Sequence, residues 1–156
     1  MVASALLARR ETAAGDQLVN SVHDVMKSVL RRAHPTLEEA GISMGQFWTL
    51  HLISSLGSVQ MSTVARHLAL SAPTVCAKVD ELEDAGLVVR QRSERDRRAV
   101  ELSVTAKGRR VEARVWAGIG GLMGEAAREL PPGDVATAVR VFQELHRRLD
   151  SPGGVA

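Results

Sequence analysis

The segment 62–108 constrains the fold of this 156-residue chain more than any other. It begins with two short stretches, 63–69 and 72–84, whose apolar residues recur at helical spacing. The pattern then becomes extended over 87–92 and 99–103, and the residues between these two stretches are rich in arginine. We therefore expect two helices followed by a β-hairpin with a basic turn.

The second of these helices has clear boundary signals. Ser71 is a good N-cap, Pro73 suits a first turn because its missing N–H costs nothing there, and Gly86 suits the left-handed residue after a helix. The positions i, i+4 and i+7 predict its buried face, namely Val75, Val79 and Leu82. Two such helices followed by a basic hairpin are typical of a winged helix-turn-helix, which places one helix in a DNA groove and the hairpin beside it.

The winged module is expected to span 43–103. Ser43 with Gln46 matches a capping box at the start of a helix, and 58–60 form a short extended link. Ser62 is expected to cap the next helix.

Amphipathic helices flank this module. Residues 1–15 are expected to form a disordered lead-in, and a helix over 16–34 should end before the proline that follows it. Two more helices are predicted within 104–149, the second capped by Asp134, and 150–156 are expected to be a disordered tail.

These patterns predict a mainly α fold, in the order α-α-α-α-β-β-α-α with a short β link. A composition of 45% hydrophobic and only 3% aromatic residues agrees with packed aliphatic helices. One winged module cannot easily bury so many outer helices, so we expect a homodimer in which 16–34 and 104–149 are the dimerisation helices.

Charge is unevenly distributed along the chain. The formal net charge is +2, yet 90–114 contains nine Lys/Arg and four Asp/Glu, an excess of +5. Such a segment suits a partner with phosphates, and the alternative is a solvated charged face. One cysteine permits no intrachain disulfide, and no apolar run or leader suggests a membrane or export, so a cytoplasmic location is expected.

The chain resembles the MarR (multiple antibiotic resistance regulator) family of bacterial transcription regulators over roughly 16–149. The matching residues lie within 68–108: Leu70-Ser71, Thr74-Val75, Val79, Leu82-Glu83, Gly86-Leu87-Val88, Arg90, Asp96-Arg97-Arg98, Leu102, Thr105 and Gly108. The family's wing usually reads Asp-x-Arg, which Asp96 and Arg98 match. A Leu-Thr-x-x-Gly run usually starts the next helix; this chain keeps Thr105 and Gly108 of that run, but Ser103 and Val104 separate Leu102 from the threonine.

The resemblance implies a homodimeric regulator, most often a repressor, that binds a pseudo-palindromic DNA operator and responds to a small effector. The candidate DNA-binding residues are Ser62, Ser71, Ala72, Pro73, Thr74, Ala77, Lys78, Arg90, Arg92, Asp96, Arg97 and Arg98. The family's minor-groove arginine maps onto Arg98 and its orienting acid onto Asp96, with Arg97 as a competing candidate. The alternative for Asp96 and Arg98 is an ordinary surface ion pair.

Family effectors, often phenolic anions, bind where the dimer helices meet the winged module. The candidate residues for a small aromatic or anionic effector are His23, Met26, Phe47, Trp48, His51, Arg114 and Trp116. The alternative is that the aromatic residues are core and the histidines structural. Cys76 lies in the recognition helix, where oxidation would block DNA binding, although a small helical residue is the simpler interpretation.

Other classes of function are less well supported. The histidines have no metal-ligand spacing, so no metal or cofactor is predicted, although their titration would tune DNA affinity. No nucleophile–base grouping or nucleotide-binding glycine loop stands out, and an enzyme is not expected. A winged fold kept for binding another protein is the remaining alternative, and the basic wing argues against it.

Overall fold

The computed structural model describes residues 2–92 and 100–151. Its elements follow the predicted order: α1 (Val2–Ala40), α2 (Met44–Leu56), β1 (Val59–Gln60), α3 (Met61–Leu68), α4 (Ala72–Asp84), β2 (Val88–Arg92), β3 (Val100–Val104), α5 (Ala106–Ala127) and α6 (Pro132–Asp150). The chain divides into two compact units, Met1–Gly120 and Gly121–Ala156. The prediction of a mainly helical fold with a winged module is confirmed. Among the described residues, no helix is both long and apolar enough to cross a lipid bilayer.

The first helix is longer than the sequence predicted in both directions. Residues 2–15, expected to be a disordered lead-in, are helical, and they are rich in Ala, Leu and Arg, which favour helices. The helix also continues through Pro35 to Ala40 instead of ending before the proline. Ala33 and Leu37 are 1% and 6% exposed on either side of Pro35, so packing into the core compensates for the backbone hydrogen bond that proline removes.

The core of the first unit forms where the inner faces of the helices meet one face of the sheet. Val75, Val79 and Leu82 of α4 are fully buried, as their spacing predicted. They pack with Phe47, Leu50, Ile53, Val64, Leu87, Val88, Leu102, Val104 and Val115. Burying this face leaves the opposite face of α4 in solvent.

The sheet has three antiparallel strands in the order β1-β3-β2. Val59 of β1 pairs with Leu102 of β3, and the hairpin pairs Val88 with Val104 at one end and Arg92 with Val100 at the other. The two residues of β1 are the short extended link predicted between α2 and α3, and they tie the wing to the helices.

Two helix starts follow the prediction. Ser43 and Gln46 form a complete capping box at α2, with the side chain of each accepting the backbone N–H of the other. Ser71 caps α4 by accepting the N–H of Thr74, and a proline occupies the first turn.

Two predicted caps are wrong. The N-cap of α3 is Gln60, because its pairing with Glu101 in the sheet holds it in the extended conformation that an N-cap adopts, and Ser62 lies inside the first turn. The N-cap of α6 is Pro131, whose carbonyl accepts the N–H of Asp134 at 2.9 Å, so Asp134 is an acidic residue of the first turn.

Candidate nucleic-acid interface

The outer face of α4 begins with small side chains and hydroxyl groups and continues with the charged Lys78 and Glu81. Thr74 and Ala77 are exposed, and Lys78 is half-buried. The hydroxyl oxygens of Ser71 and Thr74 lie 2.7 Å apart. A helix with this surface can approach the edges of bases closely and touch a thymine methyl with Ala77 or the Thr74 methyl.

Few backbone N–H groups remain at the start of α4 to bind a phosphate. Pro73 has none, the N–H of Thr74 donates to Ser71 Oγ at 3.3 Å, and the N–H of Val75 donates to the carbonyl of Ser71 at 3.1 Å. Among the described residues from Ala72 to Val75, only Ala72 has an N–H without an acceptor. Hydroxyl groups are therefore the main polar groups at this helix end.

The N-terminal turn of α2 supports the outer face of α4. Lys78 extends across Gly45, where an added Cβ would come within 2.6 Å of the lysine Nζ. Gln46 Nε2 donates to Glu81 Oε2 at 2.7 Å. The sequence pattern placed Glu81 on the outer face of α4 and Gln46 in the capping box of α2. It predicted neither the contact between them nor a role for Gly45, because the two contacting residues are 35 positions apart.

Arg90 of β2 is bound within the protein. Its Nη2 donates to Asp80 Oδ1 at 2.5 Å, its Nη1 donates to Glu83 Oε2, and its backbone N–H donates to Glu83 Oε1 at 3.3 Å. The hydrogen bond that Arg90 donates to Asp80 raises the pKa of the guanidinium above its usual value, and Glu83 adds to this effect. Arg90 was predicted as a DNA contact, whereas the structure places it between two carboxylates of α4.

The remaining wing residues divide into two groups. Arg92, at the end of β2, is exposed. The predicted wing-tip residues Asp96, Arg97 and Arg98 lie outside the described residues.

The start of α5 holds the C-terminal end of α4. Thr105 Oγ1 donates to the carbonyl of Gly86 at 2.8 Å and accepts the N–H of Gly108 at 3.0 Å. Lys107 Nζ donates to the carbonyl of Ala85 at 2.7 Å. These contacts satisfy the carbonyls of the two residues that follow α4 and give a physical role to the Thr-x-x-Gly pattern after the wing.

Four of the candidate effector residues form one aromatic cluster, which consists of Phe47, Trp48, His51 and Trp116. The rings of His51 and Trp116 stack with centroids 4.4 Å apart and an interplanar angle of 8°. Phe47 is fully buried, whereas Trp116 is 47% exposed. The cluster therefore has a core side and a solvent side.

The charged group beside the aromatic cluster is an acid. Glu112 Oε1 lies 2.7 Å from His51 Nδ1, and no sequence pattern identified Glu112 because the two residues are 61 positions apart. The described contacts do not bring the other three candidates, His23, Met26 and Arg114, to these rings, and all three are exposed.

Cys76 is exposed on α4, with its Sγ 3.7 Å from Asp80 Oδ2. The thiol therefore donates to an acidic side chain one turn further along the same helix.

Known proteins resemble the chain in sequence and in fold. A sequence model of the MarR family matches residues 40–99. The HTH-type transcriptional repressor MdtR of Bacillus subtilis is 24% identical over 140 residues, which cover 87% of this chain and 90% of that protein. The organic hydroperoxide resistance transcriptional regulator of the same species is 26% identical over 93 residues, covering 60% of this chain and 63% of the regulator.

Two solved structures show the same fold. A MarR family protein from Bacillus stearothermophilus superimposes with a TM-score of 0.79 at 19% identity and covers 89% of this chain and 97% of its own. FabT of Streptococcus pneumoniae, solved in complex with DNA, gives a TM-score of 0.71 at 23% identity and covers 86% and 96%. The sequence match over residues 40–99, together with the winged module, its hairpin and the Thr-x-x-Gly junction, makes the chain similar to the MarR family of DNA-binding transcription regulators.

Proposed function

We propose that this chain is a homodimeric repressor whose α4 enters the major groove of a pseudo-palindromic operator while the wing lies at the adjacent minor groove. The observation that carries the proposal is the outer face of α4, exposed beside a basic hairpin that is bonded to the same helix through Arg90. Two similar proteins support this proposal: MdtR is named a repressor, and FabT was solved in complex with DNA. A DNA-binding role also favours a cytoplasmic location.

Each part of the interface has a distinct task in this proposal. Thr74 and Ala77 read base edges, and Lys78 binds a guanine acceptor or a phosphate. The hydroxyls of Ser62 and Ser71 face phosphates with Ala72 and Pro73 beside them, and Arg92 also contacts the backbone. Arg98 enters the minor groove, where the potential is most negative, with Asp96 orienting it and Arg97 as the neighbouring candidate.

Exposed apolar side chains support a homodimer. In the single chain, α1 exposes Leu18, Val19, Val22, Val25, Met26 and Leu30. Within the second unit, α6 exposes Val139, Val141, Phe142 and Leu149. Apolar rows of this length are usually covered, and a second copy of the chain would cover both by a two-fold axis.

The aromatic cluster is the proposed effector site. Its exposed Trp116 and the stacked His51 offer a flat apolar surface with a polar edge, which suits a small aromatic ligand. Because α5 carries Trp116 and also meets the end of α4, a ligand here would change the population of DNA-competent dimers.

Selection of duplexes from a random-sequence library with the purified protein tests the function directly. We expect an inverted repeat whose half-sites are about one helical turn apart, because each dimer presents two copies of α4. Recovery of unrelated sequences with no shared half-site would reject a sequence-specific operator. A single half-site without a repeat would reject the two-fold dimer on DNA.

A further inference from the structure

We propose that Arg90 is a positioning residue that fixes the wing against the recognition helix α4 and makes no contact with DNA. The inference deepens the proposed DNA-binding function, on which it rests. Arg90 thereby has a role inside the protein, whereas Arg92 on the same strand is exposed.

The geometry ties residue 90 to α4 through both its side chain and its backbone. The guanidinium bridges Asp80 and Glu83, which lie three positions apart on α4, and the backbone N–H of Arg90 also donates to Glu83. Arg90 pairs with Leu102 at the middle of the five-pair hairpin. Holding this residue therefore holds the centre of the hairpin, and the wing leaves α4 in a fixed direction.

The charges also argue against a phosphate contact. One guanidinium faces two carboxylates, so the group as a whole carries a charge of −1 and offers a phosphate little attraction. The side chain of Arg90 is only 28% exposed, whereas the side chain of Asp80 is 54% exposed. The hydrogen bonds from the guanidinium hold the carboxylates of Asp80 and Glu83 toward Arg90. This position limits the repulsion between the two carboxylates and nearby DNA.

A lysine cannot replace this contact. The planar guanidinium donates to two carboxylates in a fixed fork, whereas an ammonium is a single point charge on a flexible stem. The conservative substitution Arg90→Lys therefore separates phosphate binding from positioning of the wing. It keeps the positive charge that a phosphate needs and loses the paired hydrogen bonds to Asp80 and Glu83.

The test compares Arg90→Gln, Arg90→Lys and Asp80→Asn with Arg92→Gln, which removes the same charge from an exposed position of the same strand. Dissociation constants are measured for the duplex selected by the wild-type protein and for a scrambled duplex, over a range of salt concentrations. We expect both Arg90 variants to lose roughly tenfold in affinity for the selected duplex with an unchanged salt slope, the scale of a lost charge-assisted hydrogen bond. Arg92→Gln should weaken both duplexes in the same proportion.

Asp80→Asn gives the sharpest result because the two explanations predict opposite signs. Removing a negative charge beside DNA should tighten binding by simple electrostatics, whereas loss of the wing's anchor should weaken binding to the selected duplex. Asp80→Asn leaves Glu83 as a partner for Arg90. It can therefore replace Arg90→Gln in the test if that variant melts within the temperature range of the assay. Tighter binding by Asp80→Asn, or normal binding by Arg90→Lys with a lower slope in Arg90→Gln, would overturn the proposal.

Amide hydrogen exchange in the DNA-free protein separates this inference from the proposed function. We expect Arg90→Gln, but not Arg92→Gln, to speed exchange across β2 and β3. Unchanged exchange in Arg90→Gln would overturn the positioning role. A wild-type protein that cannot distinguish the selected duplex from the scrambled one would instead reject the proposed function and leave the exchange result standing.

Discussion

Gly108 lies so close to Leu87 that a Cβ on the glycine would come within 2.1 Å of the leucine carbonyl oxygen. The same oxygen accepts the N–H of Thr105 at 3.0 Å, and Leu87 is 2% exposed. The first turn of α5 is thus packed directly on the backbone that joins α4 to the wing. The glycine of the Thr-x-x-Gly pattern is required by this contact, since backbone atoms cannot move aside as a flexible side chain can.

Gly108→Ala is expected to lower the free energy of unfolding by about 2 kcal/mol, because one methyl group would force α5 away from Leu87. Urea denaturation measures the change. Gly15→Ala is the matched control, since a Cβ there meets nothing within 4 Å and alanine should raise stability slightly in an exposed helix. Equal stability of the two variants would contradict the close contact.

Ser71→Ala is expected to lower the free energy of unfolding by about 1 kcal/mol, because α4 loses the side chain that accepts the N–H of Thr74. Ser62→Ala removes the same hydroxyl from the first turn of α3, where it is not the N-cap, and should change stability by less than about 0.5 kcal/mol. Thermal denaturation of both variants checks the difference. If Ser62→Ala lowered the free energy of unfolding more than Ser71→Ala, Ser62 would be acting as the N-cap that the sequence predicted.

The elements predicted well from sequence are those whose signals are local. The α4 helix begins after Ser71 and its inner face is Val75, Val79 and Leu82, because a cap, a proline and a helical spacing all act within a few residues. The left-handed Gly86, with φ of +69°, is equally local. Each of these features needs no information about the rest of the chain.

The features that the sequence missed depend on distant contacts. Gln46 meets Glu81 across 35 positions, and His51 meets Glu112 across 61. Arg90 looked like any other arginine of a basic wing until the fold placed it between two acids of α4. Pro35 was expected to end the first helix, because a proline disfavours helical geometry in the residue before it. The helix continues because Ala33 and Leu37 on either side are buried in the core.

Lys78→Ala is expected to weaken binding to the selected duplex and to lower the salt slope by about 0.9, because one cation would no longer release a counterion. Lys27→Ala removes the same charge from an exposed position of α1 and should leave the slope unchanged. Fluorescence anisotropy over a range of salt concentrations measures both. An unaltered slope for Lys78→Ala would mean that its ammonium remains over Gly45 in the complex.

Phe142→Glu is expected to weaken the homodimer by roughly tenfold or more, because a ring that is 51% exposed in the single chain would lose its burial against a second copy. Gln143→Glu adds the same charge at the next exposed position and should leave the dimer largely intact. Sedimentation velocity over a range of protein concentrations measures the association. Identical behaviour of the two variants would remove Phe142 from the interface.

Glu112→Gln is expected to tighten the binding of a small aromatic anion such as salicylate, because the carboxylate that lies 2.7 Å from His51 would no longer repel it. The chain has two tryptophans, Trp48 and Trp116, and both belong to the aromatic cluster, so their fluorescence reports the binding. Glu38→Gln is the control, since Glu38 also faces a histidine, at 3.3 Å on exposed α1. Equal affinities in the two variants would place the ligand away from Glu112, and no saturable change in any of the proteins would reject aromatic anions as the effector class.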